Sequence, residues 1–509
     1  MDQAEGDAAL PGRPTSLWVD TAPAPVHSPL KGEREFDVAV VGGGIAGLTV
    51  ATRLKEEGAK VALIEARRLA GGVSGHTTAK LTLLHGLAYR RLVAEQGAAR
   101  AKLYAQANDA GLRHVARWVE ERRIACDFTR ADALTYAEDA EQARQVEEEV
   151  QALASLGYPA TLTRDVGLPF PVECAVRLGD QAHFHPRRYL LALAEALVGG
   201  GCEVFEVSPA HELDAGSPCV VRTADGSVRA DHVVVATHQP FTRAGGYHAR
   251  MTLRRSYVLA VRLRGAAPKG MYISAASDFH SFRRQPSEAG ELLLVGGEPH
   301  LPGHVPDTAL LVRRLAAWAR EHFPVEDVLY RWATHDNVTQ DRVPCVGRMT
   351  PSTPNVLVAT GFGGWGMTNG TAAGLLLADL VLGRDNPWRE LYDPARAGAA
   401  MTLQTAVHDA VEEVKSLTET PPPPPGGGAR LRPGEGHVVD WGYDKLAIAR
   451  DARGRDHVLV AACTHLGCLV RWNTAEQSWD CPCHGSRFDI DGHVLHGPAV
   501  KDLPMHDVE

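Results

Sequence analysis

Cys463-Thr-His465 and Cys481-Pro-Cys483-His484 each set a thiol within three residues of an imidazole. Two thiolates on one iron and two imidazoles on the other would make a [2Fe–2S] cluster. Neutral imidazole leaves less negative charge than thiolate, so the potential of such a cluster rises above the all-cysteine level. A set of two Cys and two His also suits a tetrahedral zinc ion. The ligand types alone leave both open.

All four positions match the Rieske signature, and residues 431 to 505 resemble that family. Cys468 and Cys483 stand where Rieske proteins of the respiratory and photosynthetic cytochrome complexes clamp two cluster loops with a disulfide. Ser486 matches the hydroxyl that donates to a cluster sulfur, and Gly497-Pro498-Ala499 resembles the third, covering loop. The resemblance implies metal ligation by Cys463, His465, Cys481 and His484, a Cys468–Cys483 disulfide, and an exposed histidine tip serving as electron portal. Phe488 departs from the pattern, since the highest-potential members carry tyrosine there. Phenylalanine has no donor to offer a reduced, more negative cluster, so a potential below the family maximum is expected.

A second centre is written near the start. Residues 36 to 41 form an apolar strand pattern, Gly42-Gly-Gly44-Ile45-Ala46-Gly47 follows, and helical periodicity then begins. Gly42 permits a tight turn, Gly44 lets the backbone approach a pyrophosphate, and Gly47 lets the helix pack close to the sheet. The helix N-terminus offers unpaired N–H groups to phosphate oxygens. A second strand ends at Glu65, placed to accept from a ribose hydroxyl. This fingerprint does not distinguish NAD from FAD.

Further segments resemble the D-amino-acid oxidase and glycine oxidase superfamily, and so imply FAD. They are the loop from Ala70 through His76, Thr78 and Lys80, the strand ending at Thr237-His238, and the turn Gly361-Phe-Gly363-Gly364-Trp365-Gly366-Met367-Thr368. A helix is expected from Thr371 to Leu382. Backbone N–H groups of this turn suit a flavin pyrophosphate, ribityl chain or pyrimidine carbonyl, and the resemblance spans residues 36 to about 395. The histidine that some relatives link to flavin falls at Thr78, so dissociable FAD is expected. Thr78, Lys80, His238, Trp365 and Met367 are candidates for the reactive cavity; catalytic residues are not otherwise assignable. His183 and His185 read as structural at least as readily as substrate-facing, and His335-Asp336 has no second ligand pair close in sequence.

These centres must be carried by several domains, because 509 residues exceed one ordinary core. The expected architecture is an α/β FAD-binding Rossmann-like domain with an inserted α+β substrate domain, followed by a small all-β Rieske domain. The FAD-binding domain takes residues 36–85, 181–250 and 331–395, and the substrate or cap domain 86–180 and 251–330. A mobile tail is expected over 1–35, in which Ser16-Leu-Trp18-Val could anchor a short strand on the body, followed after the main domains by a closing helix over 396–420, a Pro/Gly linker over 421–430 and the cluster domain over 431–509. The linker is semi-rigid where proline runs and pivots at glycine. Helices are expected from Leu87 to Glu121 and from Glu138 to Leu156.

Apolar residues at 44% and charged residues at 23% suit a globular protein, and a net charge of −9 argues against nucleic-acid binding. No run is long enough for a membrane span, and the start lacks a secretory signal, so a cytoplasmic location is expected. Cys126, Cys174, Cys202, Cys219 and Cys345 lack ligand spacing and read as buried small hydrophobes. The superfamily resemblance implies oxidation of the C–N bond of an amine or amino acid. Electrons would then pass from FAD to the cluster and to an external acceptor such as a soluble redox protein. The alternatives are an electron-transfer module without amine oxidation and a redox-responsive sensor or scaffold. Substrate identity and oligomeric state are unconstrained.

Overall fold

The apolar run at 36–41 is the inner end of a strand, Gly32–Val41, exposed at its start and buried at its end. The computed structural model describes residues 9–396, 431–442 and 444–506. Val38–Val41 is flanked in parallel by Val61–Ile64 and by the stretch around His232–Val235. The sheet runs Cys345–Arg348, Val356–Thr360, Gly226–His238, Gly32–Val41, Val61–Ile64, Glu203–Phe205. Its parallel strands are covered on both faces, which is why they read as unbroken apolar runs rather than alternating ones.

Helices Ile45–Glu56 and Gly366–Val381 cross at close range because glycine lines their contact. A Cβ at Gly374 would lie 2.6 Å from Thr49, and one at Gly370 2.7 Å from Ile45. The second helix begins at Gly366, five residues before the expected start. Gly366, Met367 and Thr368 therefore occupy its first turn rather than a loop. The expected helix over 87–121 is two, Ala88–Gln96 and Ala98–Glu121, broken at Gly97 with φ 83°. Ala140–Ser155 matches the other expected helix within two residues at each end and is capped by Asp139.

A nine-stranded sheet forms the wall opposite. Its order is Val325–Thr339, Met251–Leu263, Gly290–His300, Ser281–Ser287, Met271–Ser274, Thr129–Ala137, Cys174–His183, Lys80–Leu81, with the ninth strand, Thr161–Thr163, paired to Cys174–His183. Two expected boundaries shift as a result. Lys80–Leu81 and residues 331–339 pair within this second sheet and not with the dinucleotide sheet, because their partners are Cys174–His183 and Met251–Leu263.

The N-terminal segment is not a free tail over its described part. Leu17–Thr21 is helical, capped by Ser16, whose Oγ donates to Gly75 O at 2.6 Å. Trp18 is fully buried and its Nε1 donates to Thr77 O at 2.7 Å. One large aromatic thus anchors the chain start to the loop that precedes Lys80. The closing helix and the Pro/Gly linker lie, from residue 397 on, outside the described residues.

The C-terminal domain stacks a three-stranded sheet (Gly436–Trp441, Asp444–Arg450, Asp456–Val460) with a four-stranded one (Arg471–Asn473, Ser478–Asp480, Arg487–Phe488, Val494–His496). Its core gathers Trp479, Phe488, Val470 and Leu459 around the cysteines. The domain is seated on the nine-stranded sheet through a buried charge network. Arg255, 1% exposed, donates to Asp480, 2% exposed, at 3.3 Å, and also reaches Glu476. Arg487 holds the same two acids at 3.0 and 3.2 Å. No helix among the described residues is long and apolar enough to cross a membrane.

Candidate functional site

The two ligand loops fold alike. Cys463 N donates to Cys468 O and Cys481 N to Ser486 O, both at 2.8 Å, while Gly467 N and Gly485 N return to the oxygens of Cys463 and Cys481. Gly467 and Gly485 have φ of 83° and 69°, a region that L side chains rarely occupy, so glycine closes each turn. The closure brings the rings of His465 and His484 to 5.1 Å, nearly perpendicular. The Cys463 thiol faces both the Cys481 thiol and Ser486. Two thiols on one side and two imidazoles on the other fit the donor set of a Rieske cluster. Ser486 Oγ also accepts from Ala499 N at 3.0 Å, tying the Pro498 loop to the site. The sulfurs of Cys468 and Cys483 lie 2.12 Å apart, at disulfide distance.

The histidine tip is not exposed as expected. His484 is 4% exposed. The ring of His248, in the turn Ala244–Arg250, stands 5.3 Å from that of His465 and 5.2 Å from that of His484. Arg243 donates to His465 O at 3.0 Å. The small domain turns its imidazole end inward, onto the larger body.

A cavity of about 1200 Å³ fills the space between the two large sheets and extends to the small domain. Its floor is the glycine fingerprint. Gly42, φ 112°, runs so close to Ala236 that a Cβ would lie 2.4 Å from its carbonyl oxygen, and a Cβ at Gly47 would lie 1.9 Å from Gly42 O. Neither Gly44 nor Trp365 caps its helix with its own side chain; Ile45 N donates instead to Ser74 Oγ at 3.1 Å, and the later N–H groups of each first turn have no acceptor within the helix. A glycine-lined cradle at two helix starts fits the pyrophosphate and flavin of FAD. Glu65, at the edge of this floor, accepts from Gly43 N at 2.7 Å and Arg67 N at 3.0 Å. Burial raises its carboxyl despite those bonds.

The structure brings Gly42, Gly44, Ile45, Ala46, Glu65, Thr78, Lys80, His238, Gly363, Gly364, Trp365, Gly366 and Met367 to the cavity wall. Gly47, Gly361 and Thr368 do not reach it. Gly47 serves helix-to-loop packing. A Cβ on Gly361 would strike Thr339 at 2.6 Å, and the Thr368 hydroxyl is taken up by Thr82 O and His85 at 3.1 Å each. His183 and His185 are buried away from the cavity, His185 capping helix Pro186–Leu197.

Lys80 Nζ donates to Tyr272 O and Ser281 Oγ at 2.5 Å each. Burial, with Arg283 nearby, holds its ammonium well below the ordinary lysine range. Trp365 is held flat by His85, stacked at 4.6 Å and 16°.

Asp336 also lines the cavity and was not singled out by its sequence context. Burial raises its carboxyl to about 6, against hydrogen bonds from Thr334 and Gly364 N. Its strand alternates inward and outward residues, and that period was the available signal. The stretch from His493 to Val500 carries the wall of the cavity onto the small domain; the sequence marked Gly497-Pro498-Ala499 within it as a covering loop for the cluster, with no sign that it would also border this cavity.

Residues 37–380 match the FAD dependent oxidoreductase family (DAO), and residues 427–507 match the Rieske [2Fe-2S] domain. Over 499 residues the chain is 34% identical to the Rieske 2Fe-2S iron-sulfur protein YhfW of Bacillus subtilis, covering 97% of this chain and 98% of that one. It is 27% identical to gamma-glutamylputrescine oxidoreductase of Escherichia coli, over 68% of this chain and 84% of the relative. The crystal structure of glycine oxidase from Geobacillus kaustophilus superposes with a TM-score of 0.61 at 19% identity, covering 72% of this chain and all of that one, 100%. The chain belongs to the DAO family of FAD-dependent oxidoreductases and carries a C-terminal Rieske [2Fe-2S] domain.

Proposed function

We propose that the protein oxidises the C–N bond of a small amine or amino acid, with electrons passed from FAD to the cluster and on to an external acceptor. The observation that carries this reading is the single cavity reaching from the glycine cradle to residues 493–500 of the cluster domain. When bound, FAD accepts a hydride equivalent and the cluster accepts single electrons.

The cavity wall sorts chemically. Arg91, Arg254 and Arg342 line one part of it; burial lowers the Arg342 guanidinium, and the like charges of Arg91 and Arg254 lower it further. Glu95 offsets Arg91 at 2.9 Å, which leaves a net positive entrance suited to a substrate carboxylate. Asp336 and Lys80 are the proton-handling groups. A carboxyl near 6 is ionised at neutral pH and accepts the proton that an alkylammonium must lose before oxidation. Lys80 has given two hydrogens to Tyr272 and Ser281, so only its third proton, or a lone pair, remains. Trp365, fixed by His85, and Met367 supply apolar wall that keeps water from the reacting bond. The relative named for gamma-glutamylputrescine supports an amine as substrate.

Anaerobic titration of the purified protein with amino acids and carboxylate-bearing amines tests the reading, followed by flavin absorbance and cluster EPR. Flavin bleaching followed by the reduced-cluster signal is expected. If none of these compounds bleaches the flavin, the substrate class is wrong. If the flavin stays reduced while the cluster remains oxidised, the electron route is wrong.

A further inference from the structure

Three histidines from remote parts of the sequence meet where the cluster domain docks. His238 ends the strand Gly226–His238 of the dinucleotide sheet, His335 lies in Val325–Thr339 of the second sheet, and His496 ends Val494–His496 of the small domain. One ring nitrogen from each lies within 4.8 Å of the other two. Their ring centroids are separated by 5.6, 5.4 and 4.5 Å.

The triad is short of hydrogen-bond partners. His238 Nε2, His335 Nδ1 and His496 Nε2 are all shut from solvent and none has a hydrogen-bond partner. Being closed to solvent, these atoms are also closed to the FAD cavity, although other edges of His238 and His496 border it. Orphaned nitrogens on three rings that meet in one place call for an explanation, because buried polar groups are almost always paired.

We propose that His238, His335 and His496 bind a divalent transition-metal ion, of the zinc type, which clamps the cluster domain to the FAD-binding body. Neutral imidazole is the form that ligates, and burial lowers the basicity of all three rings. With metal–nitrogen bonds of about 2.1 Å, three imidazoles on a tetrahedral ion set their nitrogens roughly 3.4 Å apart, within a small side-chain adjustment of what is present. Three protein ligands leave the fourth position for water or an anion.

The charged groups that act on the triad are Arg67, Arg255 and Arg487. Arg255 and Arg487 are engaged by Glu476 and Asp480, and Arg67 lies beside Glu65, so each has its own counter-charge. The carboxylate next in sequence, Asp336, lines the FAD cavity, whereas His335 does not. The site is distinct from the cluster, whose ligands are Cys463, His465, Cys481 and His484, and it does not depend on what the flavin oxidises.

The test is metal content. The full-length protein with flavin and cluster in place is treated with EDTA, dialysed against Zn²⁺, and analysed for zinc, iron and sulfide. One zinc per chain beyond the cluster iron is expected. His238→Gln, His335→Gln and His496→Gln should each weaken zinc binding at least about tenfold, with the Rieske EPR signal and an unchanged far-UV circular dichroism spectrum showing that each variant is folded. Glutamine keeps a hydrogen-bonding group, so it would satisfy a water-filled site but not a metal. Wild-type protein that retains no zinc while holding full flavin and cluster overturns the proposal. Equal zinc retention by all three variants overturns it as well.

Discussion

His248 lies edge-on to His484, their ring centroids 5.2 Å apart and their planes at 83°. His248 belongs to the body that carries the FAD cradle, and His484 is a cluster ligand by family pattern, so the docked face of the small domain is its imidazole end. In this arrangement a partner protein has little of that end to touch. On the proposed electron route, the inward orientation makes the imidazole end the point of entry to the cluster.

Docking should hinge on Arg255. Its guanidinium is almost wholly buried, and its partners Asp480 and Glu476 are on the other domain. Arg255→Ala leaves the buried Asp480 to Arg487, Asn473 and Ser478, so the cost falls below the roughly 3–5 kcal/mol of a buried pair broken outright. We expect the variant to keep its flavin and its cluster EPR signal while cleavage by protease between residues 397 and 430 accelerates. Substrate-driven cluster reduction should slow about tenfold or more. An unchanged rate of cluster reduction would mean the seat seen here is not the electron-transferring one.

Asp336 gives a pH dependence with a definite sign. Its folded-state carboxyl is raised from 3.8 to about 6, so its favourable contribution is complete below pH 4 and is lost as pH rises through 6. Asp336→Asn removes the buried charge. It should be more stable than the wild type at pH 8 by about 1–2 kcal/mol, a two-unit shift discounted for screening by cavity water, and equal to it near pH 4. Denaturant melts at the two pH values check this. The rate of flavin reduction should lose its inflection near pH 6 in the same variant; an inflection that persists would move the proton acceptor to another group.

The parts of the site legible in the sequence were those written locally. Cys463/His465 and Cys481/His484 lie within a few residues of each other and could be recognised through the Rieske resemblance, and Gly42 to Glu65 is one strand–turn–helix–strand unit readable from a short stretch. What was not legible depends on contacts at long separation. Arg255 and Asp480 meet across 225 residues, and no local pattern marks an arginine that will be buried against another domain. His335 looked unsupported because its neighbours His238 and His496 come from a different sheet and a different domain. The N-terminal segment, rich in Ala, Pro and Asp, reads as mobile with a candidate anchor at Ser16-Leu-Trp18-Val; the anchor is present, but as the helix Leu17–Thr21 rather than a strand, with Trp18 bonded to Thr77 O.

The glycine fingerprint separates steric need from mere frequency. Gly47→Ala would place a methyl group 1.9 Å from Gly42 O, in backbone that cannot retreat without moving the cradle. Gly179→Ala meets nothing nearer than Asp132 Oδ1 at 3.6 Å, in an exposed strand position. We expect Gly47→Ala to purify with little or no flavin but an intact Rieske EPR signal, and Gly179→Ala to hold flavin at the wild-type level. Full flavin occupancy in Gly47→Ala would show that the pyrophosphate does not sit on this turn.

Phe488 tunes the cluster by what it lacks. It is fully buried, paired across the strand with Trp479 and packed in the same core as Cys463 and Cys481. Reduction adds negative charge to the cluster, and a hydrogen-bond donor nearby stabilises that form more than the oxidised one. Phe488→Tyr adds such a donor two residues beyond Ser486, where the family's highest-potential members carry tyrosine. Because the pocket is closed, the added oxygen must either bond to the cluster environment or remain unpaired at a cost of about 1–3 kcal/mol in stability. A redox titration followed by EPR separates these outcomes. A raised midpoint potential with an unchanged line shape is expected; an unchanged or lowered potential, with reduced thermal stability, would show that the hydroxyl finds no partner and that Phe488 is only a packing residue.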